Sequence, residues 1–523
     1  MPTTITKIKL INYKRFRNYV ITPNPRINIL VGDNEVGKSS VLEAIDLVAS
    51  GNARKVEAAG IDKLLNVEVV QEFNAGERTY DKLPTMTIEL YIACEPDYSL
   101  NGKNNTDGIV CDGIRLVCAP NPDYQAEIAE SLKEQEDYFP YDYYSIRFST
   151  FADEGYTGYN KKKLRSVLID SSNMNSDYAT NDFIKRMYGQ YTEGDEKERA
   201  VHKSQYRQLK NSFQTNSLQS LNARIPTDKN YAFGLKSSTS TALESDLMIF
   251  ENEIGIDSKG AGRQVLIKTD FALERSGGNV DIVLIEEPEN HLSHVNLRRL
   301  ISSIANTQSG QLFIATHSDS ISTRLELQNL LIMHENSADK PTSLQDLKED
   351  TAKYFVKAPV AGILEFAISK KAILVEGPSE YMLFETFYES IAGNKPEADG
   401  VRIIDVRGLS FKRYLEIAKL LGSKVAVVTD NDGDKQKNCI DKYSDFENDT
   451  NIRVCYEGDD SKNTFEVILY SDNQVVCDKL FDDNALAYML ANKTETAYKL
   501  LCQEEAEIAV PAYIKEAIEW IRE

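Results

Sequence analysis

Two hydrophobic patterns alternate along this chain of 523 residues. Short, nearly uninterrupted apolar runs are typical of buried strands, and apolar positions three or four residues apart are typical of helices that cover a sheet. The pattern predicts strands at 5–10, 27–31, 282–285, 312–315, 372–375, 401–406 and 424–428, and helices near 379–391 and 411–421. Strands that alternate with helices indicate an α/β fold with parallel sheet.

The composition is that of an ordinary globular protein, with 41% apolar and 27% charged residues. At roughly 150 residues per domain, a chain of this length is expected to form two or three domains. The sequence has no uncharged apolar run of about 18 residues, so no membrane role is expected. The first residues lack the apolar segment and cleavage site of a signal peptide, and we expect a mature, cytoplasmic protein.

A net charge of −21 argues against a surface that is basic throughout, as a protein that coats nucleic acid would need. Two short basic runs, 161–165 and 412–413, are candidates for local phosphate contacts, although such runs are usually solvated faces. The seven cysteines are scattered and are never spaced as CxxC. This spacing indicates neither a zinc site nor a disulfide framework.

A phosphate-binding loop, GDNEVGKSS at 32–40, stands between a predicted strand and a predicted helix, which is the context that a P-loop requires. Its two glycines let backbone N–H groups approach phosphate. Its lysine reaches the β- and γ-phosphate oxygens, and the serine after it offers a hydroxyl to Mg²⁺. The expected ATP-binding residues of the loop are Gly32, Asn34, Gly37, Lys38, Ser39 and Ser40, of which Ser39 also contacts the metal ion.

A second nucleotide motif is predicted where Glu286 and Glu287 follow an apolar strand. In P-loop enzymes the first acid supports Mg²⁺ and the next orients the attacking water, so Glu287 is the expected catalytic base. Glu286 stands where aspartate is more common, which lengthens the metal support. His317 follows the next apolar strand and is one of five histidines. A lone histidine is usually a structural group, but this order along the chain favours a switch at the γ-phosphate.

These motifs, with IKLINYKRF at 8–16, EEPENHL at 286–292 and ATHS at 315–318, resemble ABC ATPases of the OLD (overcoming lysogenization defect), RecF and chromosome-maintenance class. The resemblance covers an ATPase domain at 1–355 and implies that two subunits close head to head over ATP. It implies that a signature-like loop with Ser258 and Gly260 caps the partner's nucleotide, unless this is an ordinary glycine-rich turn. It also implies a helical dimerisation insertion at about 165–225. No sustained heptads predict a coiled-coil arm.

Acidic residues follow two predicted strands of the C-terminal part. Glu376 directly follows the strand at 372–375, and Asp430 and Asp432 follow the strand at 424–428. Ligands of parallel α/β sheets bind outside the carboxyl ends of the strands, so these three carboxylates can point to one place. Carboxylates suit Mg²⁺, and a pair of such ions can activate water and stabilise the leaving oxygen in phosphodiester hydrolysis.

Glu-Gly followed by Asp-x-Asp after successive strands resembles the Toprim domain of topoisomerases, primases and OLD nucleases. With the ATPase motifs in front, the whole chain resembles the OLD family, which implies a Toprim nuclease domain at 360–523. The resemblance also implies that Glu466 is a metal ligand and that Lys493 is catalytic, with Lys462 less favoured. Glu380 lies one helical turn after the first acid and either serves a second metal ion or is a solvated helix residue.

The expected fold is therefore α/β, with an N-terminal ABC-type P-loop ATPase that carries a helical insertion and a C-terminal Toprim domain with a parallel sheet. The resemblance implies an ATP-regulated endonuclease or nickase that acts on DNA with Mg²⁺ or Mn²⁺, in antiphage defence. We expect a homodimer or a higher homo-oligomer, with a separate defence-system partner left open. Two alternatives also stay open: an ATP-driven nucleic-acid sensor or scaffold that does not cleave, and a nuclease for RNA such as tRNA.

Overall fold

The computed structural model describes residues 3–134, 139–157, 164–170, 184–185, 187–189, 191–192, 196–225, 232–235, 243, 246–274, 281–290, 292–306, 310–334, 339–357, 362–408, 410–481, 484–503 and 508–523. Contacts between residues divide the chain into two compact units. Unit 1 consists of Met1–Leu30, Gly37–Thr316 and Asn336–Lys340, and unit 2 consists of Val31–Val36, His317–Glu335 and Pro341–Glu523. The domain boundary near residue 355 stays a prediction.

The elements up to residue 315 are mostly those of unit 1. The strands are β1 (Thr4–Tyr13), β2 (Phe16–Ile21), β3 (Ile27–Val31), β4 (Met86–Ala93), β5 (Asn101–Gly102), β6 (Cys111–Pro120), β7 (Tyr144–Thr150), β8 (Ser166–Asp170), β9 (Phe250–Glu251), β10 (Ile254–Gly255), β11 (Ile282–Glu286) and β12 (Gln311–Ala315). The helices are α1 (Lys38–Ser50), α2 (Ala53–Ala59), α3 (Ile61–Leu64), α4 (Val67–Ala75), α5 (Gln125–Glu134), α6 (Glu196–Asn216), α7 (Gln219–Asn222), α8 (Ala261–Glu274) and α9 (His294–Asn306).

Unit 1 contains an antiparallel sheet and a parallel sheet. The antiparallel sheet has the order β2-β1-β4-β6, with β5 and β7 both paired to β6. In the parallel sheet β12 lies between β3 and β11, and β11 also pairs with β8. Helix α1 packs against strands of both sheets, and its buried residues include Val41, Leu42, Ile45 and Val48. A helix that is apolar on most sides is stable only when it is covered on both faces, and the two sheets provide that cover.

Strand β8 occupies the first residues of the region in which the helical insertion is expected. It pairs in parallel with β11, from Ser166 opposite Ile282 to Asp170 opposite Glu286. These residues therefore belong to the sheet, and the helical part of the region is represented by α6 and α7. Much of 171–195 and 226–245 lies outside the described residues.

The remaining elements lie in unit 2. The strands are β13 (Leu330–Ile332), β14 (Thr342–Ser343), β15 (Lys371–Val375), β16 (Val401–Asp405), β17 (Lys424–Val428) and β18 (Ile452–Cys455). The helices are α10 (Asp319–Arg324), α11 (Glu349–Lys357), α12 (Ile363–Ile368), α13 (Pro378–Ala392), α14 (Phe411–Leu421), α15 (Phe465–Asp472), α16 (Gln474–Phe481), α17 (Ala485–Ala491), α18 (Lys493–Leu501) and α19 (Ala512–Arg522).

The core of unit 2 is a parallel sheet with the order β16-β15-β17-β18. Alternate strand residues such as Ile373, Val375, Ala426 and Val428 join a buried apolar cluster with helices α13 and α15 to α19. The intervening residues are equally buried, and α14 packs against β17 while α12 packs against β16. Side chains of a strand point to opposite faces in turn, so both faces of this sheet are covered.

The sequence pattern predicts these elements closely. The strands expected at 27–31 and 424–428 and the helix expected at 411–421 are confirmed with the same ends. The helix expected near 379–391 is confirmed as α13, which begins at Pro378 because proline is well tolerated in the first turn. The α/β class with parallel sheet is confirmed in both units.

Candidate functional site

The P-loop is built from a fully buried strand, two strained glycines and a helix. Gly32 has φ 152°, and a Cβ there would lie 2.2 Å from the backbone oxygen of Met333. Gly37 has φ 98°, and a Cβ there would lie 2.5 Å from Cζ of Phe16. Only glycine fits both positions, because the backbone conformation and the available space exclude a side chain. Phe16, the last residue of the opening motif, thus packs directly on the loop.

The predicted ATP-binding residues follow one another at the start of α1. Lys38 is its first residue and is buried, with 6% of its surface exposed. Ser39 and Ser40 follow in the first turn, and Asn34 lies in the turn before Gly37. The N-terminus of a helix after a glycine-rich turn presents backbone N–H groups, which is the arrangement that binds phosphate. Their contact with ATP stays a prediction.

The predicted acids leave β11 at its carboxyl end. Glu286 is the last residue of the strand, and Glu287 has a left-handed φ of 43°. The backbone N–H of Glu287 donates to the oxygen of Ala315 on β12 (2.8 Å), and Nδ2 of Asn290 donates to Oε2 of Glu287 (2.6 Å). The bond from Asn290 fixes the direction of the carboxylate, as a residue that orients water would require, and the catalytic role of Glu287 stays a prediction.

A contact that sequence reasoning missed joins this turn to β12. Thr316 Oγ1 donates to Oε1 of Glu289 at 2.8 Å, and Thr316 directly precedes His317. Glu289 stands in the EEPE motif, but no spacing rule assigns it a partner. The chain passes from His317 into α10. The switch role of His317 stays a prediction.

The signature-like loop lies at the start of α8. Ser258 and Gly260 are exposed, and α8 begins at Ala261. Lys259 and Arg263 both pair with Glu251 of the β9-β10 hairpin, which holds the loop in place. An exposed glycine before a helix can approach a phosphate, so the structure leaves the predicted capping role open for a partner's nucleotide.

The acids of the C-terminal domain lie at neighbouring strand ends. Strands β15 and β17 are adjacent and parallel, so Glu376 and Asp430 leave the same edge of the sheet. Oε1 of Glu376 accepts from Thr429 Oγ1 at 2.6 Å and from the backbone N–H of Asp430 at 3.1 Å. Asp432 is exposed, has φ 49°, and donates its backbone N–H to the oxygen of Asn463 at 3.1 Å.

Helices α15 and α18 add a carboxylate and its cation. Glu466 lies in the first turn of α15 and is 2% exposed, and Nζ of Lys493 donates to its Oε2 at 2.9 Å. Burial lowers the pKa of Lys493, but the hydrogen bond to Glu466 and the nearby acids raise this pKa above its usual value. Lys462 instead lies 3.5 Å from Asp472. Of the two candidate lysines, Lys493 is therefore the one beside the acids.

Electrostatics place four carboxylates in one cluster. Burial raises the pKa of Asp430 to about 8, and the charges of Glu376, Glu380 and Glu466 add to the rise. Burial likewise raises the pKa of Glu380 to about 7, again with contributions from Glu466 and Glu376. Glu380 is only partly exposed, so its environment is not that of a solvated helix residue. We call Glu376, Glu380, Asp430 and Glu466 the acid cluster.

The acid cluster fits a divalent cation in its chemistry. Burial and mutual repulsion disfavour the charged carboxylates, and a cation with oxygen ligands reverses this penalty. Within the described residues, no three His, Cys, Asp or Glu side chains are already close enough together to hold a metal ion. Binding would therefore require rotation of these side chains toward one another. Glu376, Glu380, Asp430, Asp432 and Glu466 are the residues that would hold it.

Two further residues near the acids were missed by sequence reasoning. Asn431 lies between the two aspartates and is 1% exposed. Tyr513 of α19 is buried in the core, and burial together with the charges of Asp430 and Glu380 raises its pKa well above the usual value. An asparagine between two aspartates is a visible signal, whereas a tyrosine more than 80 residues later in the sequence gives none.

The basic run at 412–413 makes contacts within the protein. Arg413 bonds to Asp350 and Thr351, and Lys412 lies 3.8 Å from Asp445. Both side chains of this run are thus engaged within the protein. The lysines at 161–163 lie outside the described residues.

Family comparisons agree with the two sets of motifs. Residues 4–250 match the AAA ATPase domain, and residues 368–432 match the Toprim domain of the overcoming lysogenization defect protein-like family. The chain joins an AAA ATPase domain to an OLD-like Toprim domain. The matched Toprim segment begins at residue 368, just before β15, ends at Asp432, and includes Glu376, Glu380 and Asp430.

Curated relatives match parts of this ATPase–Toprim chain. The DNA replication and repair protein RecF of Idiomarina loihiensis is 32% identical over 104 residues, which are 19% of this chain and 24% of that protein. Endonuclease GajA of Bacillus cereus is 27% identical over 183 residues, 34% of this chain and 31% of that protein. The chain thus spans less than a third of the length of either relative.

Among solved structures, the chain is similar to the C-terminal region of the Xanthomonas campestris pv. campestris OLD protein, with 20% sequence identity and a TM-score of 0.23. The match covers 29% of this chain and 95% of the solved chain. None of the described helices is both long and apolar enough to span a membrane.

We predict that Lys38→Ala weakens ATP binding to the ATPase domain. Charge-assisted hydrogen bonds contribute about 1.5–3 kcal/mol each, so affinity should fall roughly 10- to 100-fold. Titration of a fluorescent ATP analogue measures the change. Lys82→Ala is the matched control, because Lys82 forms an exposed ion pair with Glu77. Equal affinity for the folded Lys38→Ala variant and the control would contradict the P-loop assignment.

Proposed function

We propose that this protein is an ATP-regulated, divalent-metal-dependent endonuclease or nickase that acts on DNA. The observation that carries the proposal is the acid cluster at the carboxyl edge of the Toprim sheet, with Lys493 beside it. The match to the OLD-like Toprim domain and the likeness to an endonuclease support it. The likeness to RecF, a DNA replication and repair protein, favours DNA as the substrate.

The residues of the cluster suit phosphodiester hydrolysis. When bound, divalent ions activate water and stabilise the leaving oxygen. Asp430 and Glu376 follow adjacent strand ends, so their backbones are fixed by the sheet and only their side chains need to turn toward a metal ion. Lys493 provides positive charge for the phosphate as it gains negative charge in the transition state. Its hydrogen bond to Glu466 keeps this ammonium group beside the acids.

We further propose Mg²⁺ as the metal, with Mn²⁺ as its substitute, and antiphage defence in the cytoplasm as the biological role. Mg²⁺ is favoured because the candidate ligands are all carboxylates. The defence role rests on the resemblance to the OLD family.

Asp432→Ala should abolish cleavage while ATP hydrolysis persists. Removing one carboxylate leaves too little negative charge around the metal ions and alters the distance between them. In-line attack on the phosphodiester depends on that distance. We expect the cleavage rate to fall by at least about 100-fold, near 2.7 kcal/mol in the barrier. Supercoiled plasmid, linear DNA and tRNA, each with and without ATP and Mg²⁺, provide the measurement.

Asp445→Ala is the control for this experiment, since Asp445 is an exposed aspartate of the same unit with only a 3.8 Å ion pair. Undiminished plasmid cleavage by pure Asp432→Ala protein would exclude the Toprim site. Cleavage of tRNA but not of DNA would make RNA the substrate.

The regulation by ATP is supported by packing within unit 2. Helix α10, which begins two residues after His317, packs against α11 and α12. Phe355 of α11 and Phe366 of α12 both contact the ring of Tyr414 on α14, at centroid distances of 5.3 and 5.2 Å. Helix α14 leads into β17, whose carboxyl end carries Asp430.

Polar contacts strengthen the junction between α11 and α14. Arg413 bonds to Asp350 and Thr351, and Glu416 accepts from Thr351 and from Lys348 (2.8 Å). The segment after His317 is therefore connected to the acid-bearing strand by continuous packing. A change at the γ-phosphate could reach the nuclease site through these helices, provided that the junction has two arrangements.

Arg413→Ala should reduce the effect of ATP on cleavage. Mutations along a coupling network alter coupling by about 0.5–2 kcal/mol, so the ratio of cleavage rates with and without ATP should move toward one by roughly 2- to 30-fold. ATP hydrolysis and ATP-free cleavage should change little. Arg453→Ala is the control, because Arg453 of β18 forms an exposed ion pair with Glu516 of α19, and neither element belongs to this route. An unaltered ATP effect in Arg413→Ala would refute this route.

We also propose that the chain forms a homo-oligomer through α6. Val201, Leu209 and Phe213 lie on one face of this helix and are 43%, 67% and 49% exposed. Large apolar groups repeated on one face of a helix are typical of a contact surface. A second copy of the chain is the expected occupant, since the signature-like loop can cap a nucleotide only on another subunit.

Leu209→Glu should shift the oligomer toward monomer by placing a charge in an apolar contact. Sedimentation velocity at micromolar concentration with ATP measures the shift. The dissociation constant of the oligomer should rise at least about tenfold, near 1.4 kcal/mol. Tyr98→Glu is the control, because Tyr98 is 93% exposed in the same unit. A wild-type protein that stays monomeric with ATP while hydrolysing it normally would disprove the proposal.

A further inference from the structure

Asn431 is a polar side chain that the fold has buried between two acids of the candidate nuclease site. It is 1% exposed, whereas Asp432 beside it is exposed. An amide removed from water costs free energy unless its donors and acceptor are all satisfied. Its burial therefore requires specific partners.

The acceptors of its two amide hydrogens lie on a different loop. Nδ2 of Asn431 donates to the backbone oxygens of Glu457 (2.9 Å) and Asp459 (3.0 Å), with the oxygen of Lys462 at 3.4 Å. Oδ1 accepts from the backbone N–H of Gly433 at 2.9 Å. The two amide hydrogens thus fasten the 457–462 loop, while the amide oxygen closes the turn of its own loop.

The two loops carry different candidate metal ligands. The loop of Asn431 holds Asp430 and Asp432, and the 457–462 loop continues into α15, whose first turn carries Glu466. A backbone bond from Asp432 to Asn463 runs beside the amide bonds. Within the described residues near the DxD turn, Asn431 is the buried side chain that bonds to both loops.

We infer that Asn431 is a positioning residue that sets the spacing between the DxD aspartates and Glu466, and thereby the affinity of the site for a divalent cation. This rests on the proposed function. Residues that orient metal ligands typically change affinity or activity 10- to 100-fold when they are removed. The exposed Asp432, which has φ 49°, is held by this support and by its own backbone bond to Asn463.

A merely structural role would look different, and the chain offers a matched control for it. Asn473 is 5% exposed and also bonds to backbone: its Nδ2 donates to Leu469 and Ala509, and its Oδ1 accepts from Ala509. It joins the end of α15 to the segment before α19 and bonds to none of the acids. Asn473→Ala should lower thermal stability without altering metal dependence.

The test compares wild type, Asn431→Ala, Asn473→Ala and Asp432→Ala in the full chain. Mn²⁺ binding is followed by electron paramagnetic resonance, plasmid cleavage is titrated with Mg²⁺, and thermal unfolding is recorded for each protein. For Asn431→Ala we expect the Mg²⁺ concentration at half-maximal rate and the Mn²⁺ dissociation constant to rise about tenfold or more. Saturating Mg²⁺ should restore much of the cleavage. Asn473→Ala should match wild type in both metal titrations.

Unchanged metal titrations for a folded Asn431→Ala protein would overturn the inference while leaving the nuclease proposal standing. If wild type neither binds Mn²⁺ nor cuts, or if Asp432→Ala cuts normally, the proposed function itself fails and this inference with it. Should Asn431→Ala not fold, Asn438→Ala decides, because Nδ2 of Asn438 donates to the backbone oxygen of Asn431 at 3.0 Å. A smaller rise in the Mn²⁺ dissociation constant and in the Mg²⁺ requirement of Asn438→Ala would support the inference. Unchanged metal titrations for this variant would overturn it.

Discussion

Partial burial of carboxylates at one edge of the Toprim sheet, with repulsion between them as a second effect, is the constraint on which the candidate nuclease site depends. Parallel strands must be covered on both faces, so the groups at their carboxyl ends leave the sheet close together and partly away from water. Asp430 and Glu380 therefore have pKa values of about 8 and 7, far above those of exposed acids. Such an arrangement is unfavourable unless nearby groups offset the charge, and this requirement explains the surrounding hydrogen bonds.

The offsetting groups come from separate parts of the chain. Thr429 and a backbone N–H bond to Glu376, Lys493 bonds to Glu466, and Asn431 fixes the loops between them. The bonds to Glu376 and Glu466 each stabilise one acid without neutralising the whole cluster. The remaining negative charge would favour a cation, so the contacts that stabilise these loops would also hold the proposed metal ligands in place.

The ATPase motifs follow the same structural rule. The P-loop, Glu286 and His317 all stand at or just beyond the carboxyl ends of parallel strands, where loops can change without loss of the core. The turn after β11 is held by Asn290 and by the bond between Glu289 and Thr316. Two chemistries, nucleotide binding and the proposed phosphodiester cleavage, are thus placed by sheets of the same kind.

The sequence by itself determined the elements and the strand-end motifs, because apolar runs and glycine positions reflect local geometry. It predicted β3, β17, α14, the P-loop and the DxD acids from neighbouring residues alone. Only the tertiary structure decided which side chains meet. It places Glu380 near the other acids, bonds Arg413 to Asp350, and bonds Asn431 to the 457–462 loop. These contacts join residues tens of positions apart, and their partners are often backbone atoms, which every residue possesses and no sequence pattern distinguishes.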